Sequence, residues 1–429
     1  MKRIVYFVMI ALGLSVLMGT GTSCNKDVFD QSVYDTLVKR QSPVDSIDAT
    51  HTWSLTKSTR LTVEANANVG TQQVVILDDN PLSSTNARVL ARADVAEGGR
   101  ASVNVIYPSR LSTLYAACID SNGRYTVSAF DASASQVDFS APIATQQKLG
   151  YTPELQYHAF CFEEEFPEPG DYDFNDVVLH IAVEPVSSRI VYFHVKLAAV
   201  GGKLQLAGCI RLPDFKYEDI DSVWTLNGES FNKDISDQYM VVLKERDPLL
   251  RGQNGEAILN LFADAHWATG DMLNADYGIF KRKQYNVTKA SGTDAQLMVP
   301  REITFAVRMA EAGRTSGITL GNIDPFIIKQ YSGANMEVHT YNYRDVKALN
   351  DYRYVALGHL PWALQVPNSS FAHPLEGINM GFRMKTESGQ SILFGAYATT
   401  GHAFGEWAAD KNSSLDWYLY PDKYNIFIW

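Results

Sequence analysis

The chain has 429 residues, 46% of them hydrophobic and 11% aromatic, enough for two or three folded domains at ~150 residues each and too many for a disordered polymer. Its net charge of −11 and isoelectric point of 5.3 exclude nucleic acid as a partner, because that binding rests on neutralising phosphates with clustered Lys and Arg. The same acidity is compatible with cation binding.

Residues 1–23 have the parts of an export signal. Lys2 and Arg3 precede an apolar run from Ile4 to Met18, shorter than the roughly 20 residues a membrane-spanning helix needs. Small residues from Gly19 to Ser23 then lead to Cys24. A small-residue site ending in Cys resembles the lipobox of exported lipoproteins, with Gly21 where a Leu is usual. It implies a diacylated, palmitate-bearing thiol on Cys24 that attaches the protein to the outer membrane. The plainer alternative is an ordinary signal peptide with an incidental cysteine. Residues 24–50 are polar, lack apolar periodicity and hold Pro43, as a flexible tether does. The Lys26-Asp27 pair resembles a partial surface-export signal of Bacteroidota lipoproteins, so the expected location is surface-exposed, with a periplasm-facing anchor as the alternative.

Residues 51–145 read as an antiparallel β-sandwich. Ser58–Val69 and Arg100–Tyr107 alternate apolar with polar residues, and Gln72–Leu77 and Thr113–Ile119 are further runs. Asn122-Gly123 suits a tight hairpin returning through Tyr125-Thr126-Val127, where a positive φ is needed. Phe139–Tyr151 reads as a linker.

Residues 150–429 read as a larger, mainly β domain with one or two short helices. Asp176–Val183 is strongly apolar, and Arg189–Val200 and Leu204–Leu212 flank Gly201-Gly202, a pattern that predicts a hairpin. Further strands are expected at Glu302–Ala306, Pro325–Ile328 and Glu337–Thr340. Ala257–Trp267 has helical spacing through Ile258, Leu261, Phe262 and Ala265, and Ala403–Asp410 predicts a short helix.

The densest chemical signal lies between Phe162 and Val178. Asp171, Asp173 and Asn175 recur at every second residue, which matches ligand positions 1, 3 and 5 of loops that wrap oxygens around Ca²⁺. Such an ion takes six to eight oxygens, and Glu163, Glu164 and Asp176 are near enough in sequence to complete a shell. The EF-hand pattern stops there: its Gly at the sixth position and Glu at the twelfth are Asp176 and Ala182 here. The competing reading is an acidic turn whose carboxylates accept backbone N–H groups and start the next strand. So many like charges in few residues repel unless a cation or dense hydrogen bonding offsets them.

Phe162-Glu163-Glu164 followed by Gly170-Asp171-Tyr172-Asp173-Phe174-Asn175-Asp176-Val177-Val178 resembles the signature of the LruC-domain family of exported bacterial proteins. Segments in the family's order follow: Ala257–Ala265, Asp324–Ile328 before Glu337-Val338-His339, Leu360–Leu364, His373–Gly377, Phe404–Ala408 and Asp416–Tyr418. The Trp267–Val287 insertion and Arg344-Asp345-Val346 depart from the pattern. The resemblance implies an exported β-sandwich-like domain with calcium ligands at Asp171, Asp173 and Asp176, and no established catalytic activity.

Of the 4 Cys, Cys118, Cys161 and Cys209 lie in apolar contexts and read as buried thiols, with a Cys161–Cys209 bridge as the alternative in an oxidising compartment. No His-Glu-x-x-His, Gly-x-Ser-x-Gly or phosphate loop occurs among the residues, so no catalytic residue is assigned. A carboxylate-dependent glycan hydrolase, with Glu163 and Asp171 as acid and base, is the enzymatic alternative. Trp53, Trp224, Trp267, Trp362, Trp407 and Trp417 are candidate sugar platforms, Trp267 being the one expected to be exposed. The leading expectation is a lipid-anchored, calcium-binding surface protein for adhesion or extracellular recognition, its partner a glycan or protein.

Overall fold

The computed structural model describes residues 47–48, 50–65, 70–95, 99–139, 146–168, 170–271, 282–292, 294–341, 360–385 and 388–428. The export signal, Cys24, almost all of the tether, and Arg344-Asp345-Val346 lie outside them. The described residues fall within one compact unit, Ser42–Trp429. Among them, no helix is long and apolar enough to cross a membrane.

The first sandwich is built as the alternation predicts. Strands β1 (Thr56–Glu64), β4 (Arg100–Pro108) and β7 (Gln136–Asp138) make a three-stranded sheet in the order β4-β1-β7. Facing it are β2 (Thr71–Leu77), β3 (Arg88–Asp94), β5 (Thr113–Asp120), β6 (Arg124–Asp131), β8 (Gln147–Lys148) and β9 (Glu154–Leu155), ordered β8-β6-β5-β2-β3-β9. In β4, Ala101, Val103, Val105 and Tyr107 turn inward while Arg100, Ser102 and Asn104 face solvent, the period-two burial of a half-exposed strand. Those side chains meet Leu61, Val63, Val74, Ile76 and Leu114 in one core. Gly123 has φ +72° in the β5–β6 turn, where Asp120 Oδ1 accepts the N–H groups of Asn122 at 2.8 Å and Arg124 at 2.9 Å.

The expected linker is partly structural. Phe139 is buried in the first core, and β8 pairs antiparallel with β6 at Arg124 and Tyr125; just beyond the linker, β9 pairs in parallel with β3 at Arg88 and Val89. Conversely, Trp53 and Leu55 pack with the aromatic cluster of the second region.

The second region is also a pair of sheets. Strands β10 (His158–Phe162), β11 (Val177–Pro185), β12 (Ile190–Ala199), β14 (Ile220–Thr225), β19 (Arg301–Met309) and β22 (Ala363–Val366) form a six-stranded sheet, β14-β19-β12-β11-β10-β22. Strands β13 (Ala207–Lys216), β15 (Leu249–Arg251), β16 (Glu256–Phe262), β20 (Asp324–Tyr331) and β21 (Ala334–His339) form the five-stranded one, β15-β16-β13-β20-β21. The rings of Phe262 on β16 and Phe305 on β19 both contact Phe231, at 5.9 and 6.3 Å between centroids, which ties the sheets together. A short parallel pair, β17 (Gln284–Tyr285) and β18 (Ala295–Gln296), lies beside the end of β12 through the Val200–Tyr285 bridge.

Two expectations are corrected here. Gly201-Gly202 does not close a hairpin: β12 pairs with β11 and β19, whereas β13 pairs with β16 and β20. The glycines carry the chain from one sheet to the other. Ala257–Phe262 is strand, not helix; β16 lies between β13 and β15 and is buried along its whole length, so apolar residues fall on both faces and a period of two is hidden. Only Ala265–Ala268 is helical (α1), started by Asp264, whose carboxylate accepts the N–H groups of His266 and Trp267. The short helix predicted near the C-terminus is present as α2 (Phe404–Ala409).

The outer face of the six-stranded sheet is closed by chain from both ends of this region. Tyr172, Phe174, Val178, Leu364, Phe382, Phe404, Trp407 and Trp417 form one buried cluster, and Phe404, Trp407 and Trp417 meet edge to face or tilted at 5.0–5.9 Å.

Candidate metal centre

The acidic motif occupies the loop between β10 and β11, where it alternates two kinds of side chain. Tyr172 and Phe174 are 3% and 0% exposed and enter the aromatic cluster, with Tyr172 6.2 Å from Phe382 and Phe174 6.4 Å from Phe404 between ring centroids. The intervening Asp171, Asp173 and Asn175 are thereby directed away from that cluster. Both aromatics take a left-handed backbone, φ +61° and +53°, a conformation costing of order 1–3 kcal/mol for such residues. Burying two rings at about 1.5–3 kcal/mol each offsets it.

Backbone N–H groups fix several of the carboxylates. Asp173 accepts from Asn175 at 3.1 Å through Oδ1 and from Gly377 at 2.7 Å through Oδ2. Asp176 Oδ2 accepts from Glu164 N at 2.5 Å, and Glu163 Oε1 from Phe174 N at 2.5 Å. The sheet-to-sheet crossover packs onto the same loop: Gly201 N donates to Asn175 O at 2.9 Å and Gly202 N to Asp176 O at 3.1 Å. A Cβ on Gly201 would stand 1.9 Å from Asn175 Oδ1, and one on Gly202 2.5 Å from Glu164 Oε2. These positions require glycine because backbone and acidic side chains share the space.

The carboxylates are brought together. Oxygens of Glu163, Asp171 and Asp173 lie within 4.8 Å of one another, as do those of Glu163, Glu165 and Asp176. Glu163 is wholly buried, and no N–H or hydroxyl donor reaches its Oε2, Glu165 Oε2 or Asn175 Oδ1; the Glu163 and Glu165 carboxyls can pair only with each other, by sharing a proton. Burial first, and then repulsion from the neighbouring carboxylates, pushes Glu163, Asp173 and Asp176 well above the usual carboxylate range. One buried cation stands near: Lys329 Nζ donates to the backbone carbonyl of Glu164, and burial pulls its ammonium below the usual value despite Glu164 and Glu165.

Each residue expected from sequence has a definite place. Glu163, Asp171, Asp173 and Asp176 converge. Glu164 turns aside, its carboxylate accepting from Lys203 N at 3.0 Å and Leu204 N at 2.9 Å. Asn175 is buried, and its Nδ2 donates to Pro374 O at 3.2 Å. Sequence reasoning missed Glu165, which the chain reversal after β10 folds back onto Glu163. It also missed Glu376, whose carboxyl burial raises above the usual range and which feels Asp171 and Glu165; its position 200 residues away gave no signal. The donor set is all hard oxygen, and ligand oxygens around a Ca²⁺ bonded at ~2.3–2.6 Å lie within ~5 Å of each other. The residues present fit that ion.

Other candidates resolve differently. Trp267 is buried, not exposed, at 7% exposure: it stacks on Tyr239 at 5.4 Å and its Nε1 donates to Lys233 O at 2.9 Å. Trp53, Trp362, Trp407 and Trp417 are buried as well, and half-buried Trp224 lies under the Arg308 guanidinium. Cys118, Cys161 and Cys209 are free, buried thiols. Complete burial of Glu163 withholds the Glu163–Asp171 pair from a polymeric substrate.

No curated protein matches this chain. A crystal structure described as a "Putative lipoprotein from Bacteroides ovatus" aligns with 84% of this chain and 100% of that one, at 14% identity and a TM-score of 0.49. The acidic motif and the strands β10 and β11 precede the segment that matches a family model. That segment, residues 189–383, is similar to a domain of unknown function, DUF4842.

Proposed function

We propose that this chain is a lipid-anchored protein of the cell exterior whose second sandwich is fastened by structural calcium at the β10–β11 loop, and that it serves adhesion or extracellular recognition. The observation that carries the metal reading is Glu163, a fully buried carboxylate whose Oε2 receives no donor and which shares close oxygen contacts with Asp171 and Asp173 and with Glu165 and Asp176. An unpaired buried charge is expensive: without an ion these carboxyls are driven toward the protonated form, whereas a dication relieves the repulsion with the carboxylates ionised. The metal's task is mechanical: it would hold the loop that links β10, β11, the Gly201-Gly202 crossover and the Gly377 segment. Cys24 and the LruC-like order of motifs support the exported, outer-membrane setting, and Lys26-Asp27 supports its surface-facing side. The glycan-binding alternative loses Trp267, the platform expected to be exposed.

The test is scanning calorimetry of the mature chain in Ca²⁺ and in EDTA. At free Ca²⁺ about 100 times the dissociation constant, one site adds about 2.7 kcal/mol, a clear rise in melting temperature. Asp171→Ala with Asp173→Ala should remove that rise. Coincident wild-type curves with and without EDTA would overturn the metal reading. For the anchor, cells fed labelled palmitate should label the wild type and not Cys24→Ala; equal labelling refutes it.

A further inference from the structure

Among the described residues, the carboxylates divide into two triads that share a single member. One is Glu163, Asp171 and Asp173; the other is Glu163, Glu165 and Asp176. The five do not form one group in which every oxygen lies within 4.8 Å of the rest. A calcium-class ion holds its ligands at ~2.3–2.6 Å, so oxygens on opposite sides are at most ~5 Å apart. Each triad therefore matches one shell.

We infer that the cluster holds two divalent cations of calcium's class, bridged by the Glu163 carboxylate. The inference rests on the calcium reading above and adds the number of ions and the residue that joins them. Glu163 is placed for the task. Its Oε1 is oriented by Phe174 N–H at 2.5 Å, and its Oε2 is buried with no N–H or hydroxyl donor on it. The other orphaned carboxylate oxygen, Glu165 Oε2, converges on the same place: a Cβ at Gly170 would lie 2.3 Å from Glu163 Oε2 and 3.0 Å from Glu165 Oε2. The absence of a side chain at Gly170 is what lets both oxygens approach. Charge agrees. With all five carboxylates of the two triads ionised by metal binding, one dication leaves three of their charges uncompensated and two leave one, which the neighbouring Lys329 ammonium faces. Asp171, at the exposed side, opens one half to solvent, while the half at Glu165 and Asp176 is the more enclosed.

Native mass spectrometry counts the ions directly. The mature chain is stripped with EDTA, exchanged into volatile buffer and titrated with Ca²⁺. The expected result is two ions on the wild type, one on Asp171→Asn, one on Glu165→Gln and none on Glu163→Gln. The two single-side variants keep the test decisive if Glu163→Gln does not fold. Saturation of the wild type at one ion overturns the two-ion inference and leaves the calcium reading standing; saturation at none overturns both. Two ions retained on either single-side variant, or one on a folded Glu163→Gln, overturns the bridge.

Discussion

Substituting Gly201 by Ala perturbs the metal loop without changing any charge. The new methyl would arrive 1.9 Å from Asn175 Oδ1 and 2.8 Å from Asn175 O, and real contacts at that spacing do not persist. Asn175 is fully buried, so its side chain has no free volume into which to move. Overpacking of this kind costs about 1–3 kcal/mol. Displacing Asn175 also endangers the Nδ2 bond to Pro374 O at 3.2 Å, and a buried amide left unsatisfied costs about 1–3 kcal/mol. Ala restricts the unfolded chain more than Gly does, which returns about 0.4–1 kcal/mol. The balance is a loss of about 2–4 kcal/mol. Gly150→Ala is the control, since nothing lies within 4 Å of its Cβ position. Urea titrations followed by tryptophan fluorescence, in Ca²⁺ and in EDTA, give both midpoints. Gly201→Ala should unfold at clearly lower urea than Gly150→Ala in both buffers. Equal midpoints would refute the close packing of the crossover against the acidic loop.

Two further outcomes are expected. His339 is fully buried between Asp324 Oδ2 and Glu337 Oε2, each at 2.9 Å; burial pushes its imidazole down, but the two carboxylates outweigh that and hold it above its ordinary 6.5. A raised histidine contributes stability that is full below 6.5 and is lost as pH rises through the folded value, so the urea midpoint should fall as pH rises from 6.5 through that higher value. His339→Gln should flatten that slope and cost about 3–5 kcal/mol through the stranded Asp324; an unchanged slope would refute the assignment. Cys161 and Cys209 are buried, and burial pushes both thiols above their usual range, so a thiol reagent should label them only after denaturant is added. Rapid labelling of the folded chain would contradict their placement.

The alternation of β4 and the Asn122-Gly123 turn were legible because one face of that sheet meets solvent, which writes a period of two into the residues. Strand β16 was not legible as a strand. Both of its faces are buried, so every position of Ala257–Phe262 except Asn260 is apolar and its spacing mimics a helix. Gly201-Gly202 looked like a hairpin turn because glycine marks any place where backbone must come close. Which backbone it approaches is a tertiary fact, here the acidic loop rather than a partner strand.

The sequence by itself determined the local chemistry: acids at every second residue between aromatics, a small-residue approach to Cys24, and a β-rich chain. Carboxylates spaced that way can converge, and the chain order of Asp171, Asp173 and Asp176 said so. Only the tertiary structure decided which acids share an ion's radius. It drew in Glu165, turned Glu164 onto the Lys203 and Leu204 amides, brought Gly377 across to Asp173, and sealed Glu163 from water. The physical reason is that coordination depends on distances of a few ångströms between side chains whose positions are set by packing far along the chain. Tyr172 and Phe174 anchor the loop in a core completed by Phe382, Phe404 and Trp417, residues more than two hundred positions away.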